Sequence, residues 1–303
     1  MFNGMINVYK EAGYTSHDVV ARLRGILKQK KIGHTGTLDP AAEGVLPVCL
    51  GAATKLAELL ESHTKTYQAV LLLGRETDTQ DTTGQTLSQD EVGAAALSEK
   101  AVREVIASFV GEYQQIPPMY SALKVDGKKL CDLARAGKEV ERQARPVTIY
   151  EIAIDRIELP RVWMRVTCSK GTYIRTLCHD IGKMLGCGGC MESLVRTCVG
   201  AFPVEESIRL DDVETLAKEG RATECILDIE QMLAGYGEIC AKPEADKLAG
   251  NGNPLFGKQL AQCPRAKEGE LFRLYDSGRR LIGLYQYQGE RHWFKPYKVF
   301  ITQ

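Results

Sequence analysis

The chain has 303 residues, of which 44% are hydrophobic and 26% charged, and its 39 basic and 39 acidic side chains give a formal net charge of +0. This is the balance of a folded globular protein long enough for about two domains, and it excludes a global basic field for nucleic acid. No apolar run approaches the ~18 residues that would span a bilayer, and the opening MFNGMINVYKEAGYTS lacks the basic-then-apolar pattern of a secretory signal, so a cytoplasmic location is expected.

In chain order, the first clear element is a helix. Ser16 is placed to cap it, and Val19, Val20, Leu23, Ile26 and Leu27 form one apolar stripe. Arg22, Arg24 and Lys28 fall off that stripe, free to meet phosphate. Charge is unevenly spread: residues 22–31 carry five Lys/Arg and no acid, 161–183 carry five against Asp180 alone, and 205–230 hold nine Asp/Glu against three Lys/Arg. A neutral chain can still present a cationic face when its acids lie elsewhere.

The stretch KIGHTGTLDPAAEGVLP, Lys31 to Pro47, is too glycine-rich for a helix and too interrupted for a core strand. It reads as a shaped loop around Asp39, whose carboxylate either caps a turn or is presented for chemistry. A short helix over Thr54–Glu61 is followed by a strand over Thr66–Gly74 with Tyr67, Ala69, Leu71 and Leu73 on one face. RETDTQDTTG is turn-forming. A second helix runs from Ser98 to Gly111 with Ala101, Val102, Val105, Ile106 and Phe109 inward, and Pro117-Pro118 bars further helix. Residues 119–145, rich in basic and small side chains, have the composition of a flap over a ligand or of an exposed connector.

Two strands follow at 146–159 and 161–168, and then a helix from about Thr172, with Ile174, Leu177, Ile181, Met184 and Leu185 as its buried stripe. These elements lack the regular alternation of a doubly wound sheet and read as α+β. Beyond the break at 235–242, ELFRLYDSG, RLIGLYQYQG and RHWFKPYKVF, with turns at Asp276-Ser277-Gly278 and Gln288-Gly289, predict a small all-β domain, a barrel in outline.

Several chemistries find no sequence support. A phosphate loop needs a Lys-Ser/Thr ending, and dinucleotide binding needs G-x-G-x-x-G; both are absent, as are HExxH and G-x-S-x-G. Asp39 with Glu43 remains open as a carboxylate pair. Of the ten cysteines, Cys187-Gly-Gly-Cys190 has the spacing of half a zinc site, near Cys178, His179 and Cys198. No second half matches it, so reduced thiols are expected. A lone aspartate at work in a desolvated pocket needs a cation beside it, and Arg175, in SKGTYIRTL, is a candidate.

Four stretches in order, GHTGTLDPAAEGVLPVCLGAATK, KTYQAVLLLGRETDTQDTTG, IPPMYSALKVDGKKLCDLARAG and CSKGTYIRTLCHDIGKMLGCGG, resemble the TruB family of bacterial tRNA pseudouridine-55 synthases. The resemblance implies a pseudouridine-synthase fold over residues 1–238: a central, mostly antiparallel mixed sheet flanked by helices, with a thumb-like insert at about 115–145. A PUA-like RNA-binding barrel is implied over 239–303. It implies isomerisation of a flipped-out uridine in the T loop of tRNA, with no cofactor and no metal; no obligatory protein partner is expected, and a monomer is the default. Carried over by motif, Asp39 resembles the catalytic aspartate and Arg175 its ion-pair partner. Tyr67 resembles the tyrosine that stacks on the base, Tyr173 and Leu194 further pocket walls, and His34 the histidine that assists flipping by filling space in the RNA stack. Glu11, following Lys10, departs from the family's usual proline.

Overall fold

The computed structural model describes residues 1–61, 64–125 and 127–300. One residue of the expected insert and the last three of the expected C-terminal domain therefore lie outside the described residues.

The chain opens with strand β1 (Gly4–Lys10) and helix α1 (Ser16–Leu27), followed by β2 (Ile32–His34), β3 (Glu43–Leu50) and β4 (Lys65–Leu73). Helix α1 buries Val19, Val20, Leu23 and Leu27, the stripe read from their spacing. Its cap is Thr15 rather than Ser16: the Thr15 hydroxyl accepts from Asp18 N–H while the Asp18 carboxylate accepts from Thr15 N–H, a reciprocal capping box. Ser16 is buried, and its Oγ accepts from Leu38 N–H at 2.9 Å, next to Asp39. Arg22 pairs instead with Asp211 and Glu214, and Arg24 donates to Ile32 O, so neither is free for phosphate.

Helix α2 (Glu99–Ala107) is capped by Ser98 and is shorter than its apolar pattern suggests, because Ser108 to Val110 turn the chain into β5 (Gly111–Gln115). Next come β6 (Arg145–Glu158), β7 (Arg161–Cys168), helix α3 (Ile174–Leu185) and β8 (Gly189–Val199). Val162, Met164 and Val166 are all buried, as their alternation requires. On α3, Ile174, Leu177, Cys178 and Ile181 are inside, but Met184 is exposed, since the helix outruns the sheet below it before the Gly186 cap.

With the short strand Phe202–Pro203, which pairs with β8, these eight strands form a nine-stranded sheet among the described residues, with main path β1-β3-β8-β4-β7-β6-β5 and β2 paired to β3. Its ladders are antiparallel, except that β3 and β8 pair in parallel through Val195–Glu43 and Arg196–Gly44. Helix α3 packs on β8 through Gly182, where a Cβ would stand 2.2 Å from Gly189 N. One apolar core joins this sheet to α2 and α3, and a second joins α1 to β1, β3 and the 210–218 helix. The 115–145 region is ordered around a two-residue ladder, Lys124–Val125 with Lys128–Lys129, and a helix over Leu130–Arg135.

The C-terminal sheet curls as a half-barrel. It is built from β9 (Gly237–Cys240), β10 (Leu255–Phe256), β11 (Leu271–Tyr275), β12 (Leu281–Gln288) and β13 (Trp293–Val299). It has its own core around Leu274, Ile282, Tyr285 and Phe294. A further cluster, in which Leu284 and Phe300 meet Met5, Cys49 and Leu56, joins it to the main sheet. Among the described residues no helix is long and apolar enough to cross a membrane.

The parallel step between β3 and β8 depends on Gly44, whose φ is +104° and whose Cβ would fall 2.2 Å from Arg196 O. Gly44→Ala is expected to cost about 2–4 kcal/mol, from positive-φ strain plus overpacking, read as a lowered urea midpoint by circular dichroism.

Candidate active site

The loop between β2 and β3 brings Asp39 to the mouth of the β3–β8 junction. Arg175, in the first turn of α3, meets it there: Nη2 donates to Asp39 Oδ1 at 3.1 Å, and Nε lies 2.8 Å from Oδ2. The Nε approach is ionic but not aligned as a hydrogen bond, so the directed bond is the one from Nη2. Arg175 is 4% exposed and Asp39 34%: the cation is sealed in, while the carboxylate side chain stays partly open.

The guanidinium is fixed on its other edges too. Nη1 donates to Thr79 O at 2.9 Å, and Nη2 to Tyr120 O at 2.8 Å. Asp81 Oδ2 stands 3.8 Å from Nη1 and is held in turn through its Oδ1, which accepts from Thr79 Oγ1, Thr83 N–H and Thr83 Oγ1. Burial raises the Asp39 pKa above the ordinary aspartate value; Arg175 opposes this, and the Asp81 charge adds to it.

Lys10 supports the same loop from beneath. Fully buried, its Nζ donates to Ala42 O at 2.6 Å, Glu11 O at 3.1 Å and Pro40 O at 3.2 Å. Burial lowers its pKa to about 8, against the pull of Asp39 and Glu43. The Glu43 carboxylate accepts the Tyr9 hydroxyl at 2.7 Å.

Tyr67 lies on β4 directly across from Arg196 of β8, and Leu194 lies across from Ala69 one step along. Tyr67, Leu194, Leu38 and Ala42 share one apolar cluster beside the carboxylate. Burial pushes the Tyr67 phenol up to about 12, so it stays neutral. Tyr173 is the N-cap residue of α3 and is half-buried; burial raises its hydroxyl's pKa, while Ser121 and Arg175 pull the other way. His34, at the end of β2, is half-buried and its Nδ1 accepts from Gly36 N–H at 3.3 Å.

The expected residues thus fall into a tight group, Asp39, Arg175, Tyr67, Tyr173 and Leu194, with His34 on the rim of the same loop. Sequence reasoning missed Asp81, which lay in a polar stretch read only as turn-forming, and Gln115. Helix α3 has no side-chain cap of its own. Gln115, buried at the end of β5, supplies one through space: its Oε1 accepts from Tyr173 N–H at 2.8 Å and its Nε2 donates to Tyr173 O at 3.0 Å. No local pattern marks a glutamine 58 positions before the helix that it caps. Cys178, Cys187 and Cys190 are buried, and burial raises their thiol pKa values, Cys190 to about 11. Among the described residues no three His, Cys, Asp or Glu side chains are grouped to hold an ion.

Residues 24–174 match the model of the TruB family pseudouridylate synthase N-terminal domain, and residues 175–234 that of the tRNA pseudouridylate synthase B C-terminal domain. The tRNA pseudouridine synthase B of Lachnoclostridium phytofermentans is 48% identical over 309 residues, covering 99% of this chain and 100% of that protein. The chain belongs to the TruB family. It is therefore an isomerase that makes pseudouridine. The tRNA pseudouridine synthase B of Clostridium kluyveri is 44% identical over 301 residues, again spanning 99% of this chain and 100% of that protein. Among solved structures, a chain of an H/ACA RNP bound to a substrate RNA containing 2′-deoxyuridine superposes with a TM-score of 0.73 at 27% identity, covering 99% of this chain and 85% of that one. A Cbf5-Nop10-Gar1 complex contains a chain with a TM-score of 0.73 at 29% identity, covering 98% and 85%. The expected pseudouridine-synthase fold is borne out by these structural neighbours and by the mostly antiparallel sheet.

Because Gln115 stands in for the helix cap, Gln115→Ala is expected to lower stability by about 1–2 kcal/mol, the effect of losing a cap. Urea unfolding of the variant against the parent chain measures it.

Proposed function

We propose that this TruB-family chain acts on tRNA and converts uridine 55 of the T loop to pseudouridine, with Asp39 as the catalytic carboxylate. What supports the substrate is full-length identity of 48% to a protein named tRNA pseudouridine synthase B. What supports the assignment of Asp39 is one observation: a carboxylate side chain one-third exposed, ion-paired to a guanidinium that is almost wholly sealed from solvent.

The reaction conserves atoms. The N1–C1′ bond breaks, the uracil turns, C5 bonds to C1′, the C5 proton leaves and N1 ends protonated. Asp39, ionised, acts at the sugar–base junction as that bond breaks. The base is everted from its stack, at a cost of a few kcal/mol. Tyr67 offers a flat face to stack on it, worth about 1–3 kcal/mol; Leu194 and Tyr173 close the pocket, and His34 takes up space left in the loop. Lys28, Lys30 and Lys31, all exposed, hold phosphate without reading sequence. The insert at 115–145 closes over the T arm as a thumb. Residues 1–238 form the catalytic domain, and 239–303, PUA-like, hold a further part of the RNA. The chain works as a monomer without an obligatory protein partner.

A T-arm hairpin carrying [5-³H]uridine, incubated with the protein alone, is expected to release tritium, and Asp39→Asn to abolish release while RNA affinity stays near that of the parent. Release by the Asn variant at the parent rate would sink the assignment. The raised Asp39 pKa fixes two further signs. Activity needs the carboxylate, so the rate falls as pH drops through a value above that of free aspartate. A carboxyl whose folded pKa is raised favours the fold below its unfolded pKa, and this contribution disappears as pH rises through the folded value. The ionised group therefore costs stability at neutral pH, and Asp39→Asn is expected to melt no lower than the parent at pH 7.

A further inference from the structure

Arg196 is 1% exposed and heads the largest fully buried side chains of the protein. Among the described residues no carboxylate pairs with it. Burial pulls its pKa down, with Tyr67 opposing. A guanidinium sealed away without a counter-ion is costly unless its donors are used, and here the acceptors share a theme. Nε donates to Val45 O at 2.7 Å, Nη2 to Gly36 O at 3.2 Å and Nη1, at the long end, to Thr37 O at 3.5 Å. Those three carbonyls stand on the two flanks of the loop that carries Asp39. Arg196 and Tyr67 are also partners across the β4–β8 ladder, and the guanidinium acts on the charge of the phenol. The backbone of Arg196 forms the parallel bridge to Gly44 on one side and faces Tyr67 on the other.

We infer that Arg196 is a positioning residue for the isomerisation, a clamp that fixes the Asp39 loop and the Tyr67 ring relative to each other. This rests on the roles given above to Asp39 and Tyr67. Arg196 touches neither the reacting atoms nor the solvent-facing RNA surface; it acts through the groups it holds. What the site requires of it is the planar fork as well as the charge, because a lysine ammonium offers a single centre and cannot reach both flanks of the loop and the phenol at once. Lys10 holds Pro40 O and Ala42 O from the other direction, so the loop is suspended between two buried cations.

Arg196→Lys in the full chain tests this under single-turnover conditions, with the [5-³H]uridine T-arm hairpin as substrate. The expected result is a rate constant about 100-fold lower, the usual scale for an ångström-sized misplacement of a reacting group, with hairpin affinity within about threefold of the parent. A merely structural arginine would reduce the fraction of active protein, and so the amplitude, while leaving the rate constant of the remainder unchanged; that result overturns the proposal. Tyr67→Phe, which removes only the hydroxyl, keeps the test open should Arg196→Lys fail to fold: a rate constant unchanged from the parent overturns the clamp. Where both single variants fold, the double variant is expected to be no slower than Arg196→Lys alone, since both cuts sever one linkage; fully multiplicative losses overturn it. An inactive Arg196→Lys beside a fully active Asp39→Asn would overturn the Asp39 assignment instead, so the two failures are distinguishable.

Discussion

The structure turns on keeping one carboxylate usable inside protein. Desolvation favours the protonated acid, and Asp39 feels that pressure. The opposing force is a guanidinium, which retains its proton when buried. The arrangement is asymmetric: Arg175 is sealed and held by Asp39, Asp81 and the carbonyls of Thr79 and Tyr120, while Asp39 keeps an open side. A fixed cation beside a partly open anion stabilises charge without reorganising, which is the economy that preorganised sites exploit.

Everything that positions this pair comes from far away in the chain. The loop bearing Asp39 is held by Ser16 from α1, Lys10 from β1 and Arg196 from β8. The helix bearing Arg175 is capped by Gln115 from β5 and braced by the 79–81 turn, where Gln80 Oε1 accepts from Thr176 Oγ1 at 2.7 Å. The one parallel step of the main sheet's described ladders lies at the centre of these contacts. Setting β8 alongside β3 in that direction puts Leu194 and Arg196 on the same face as Tyr67, next to the loop.

The root of the 115–145 insert belongs to this network as well. Gln115 caps α3, Tyr120 O accepts from Arg175, and Arg142 donates to Pro117 O at 3.2 Å. A segment whose composition suggested a flap or an exposed connector is anchored at its base to the cation of the site. The C-terminal sheet is tied on independently, by apolar contact through Leu284 and Phe300 and by the Lys298–Glu58 pair at 2.9 Å. The exposed ion pair contributes little beside the apolar contact.

The sequence by itself determined the local elements and the leading site residues. Period-two burial on β4 and β7 and the helical stripes of α1 and α3 were legible because they report one face against one core. Asp39, Arg175, Tyr67, Tyr173 and His34 could be nominated because the ordered motifs carry them, and Leu194 because ESLVRT follows the last of these motifs. Only the tertiary structure decided what holds them. Ser16 proved to anchor a loop rather than cap a helix, Arg22 turned to Asp211, and Glu43 turned to Tyr9. Asp81 faces a guanidinium from a distant helix, and Lys10, Gln115 and Arg196 reach residues far away in sequence through backbone carbonyls and amides. Such bonds leave no trace in residue type or spacing, because their acceptors are the peptide groups themselves.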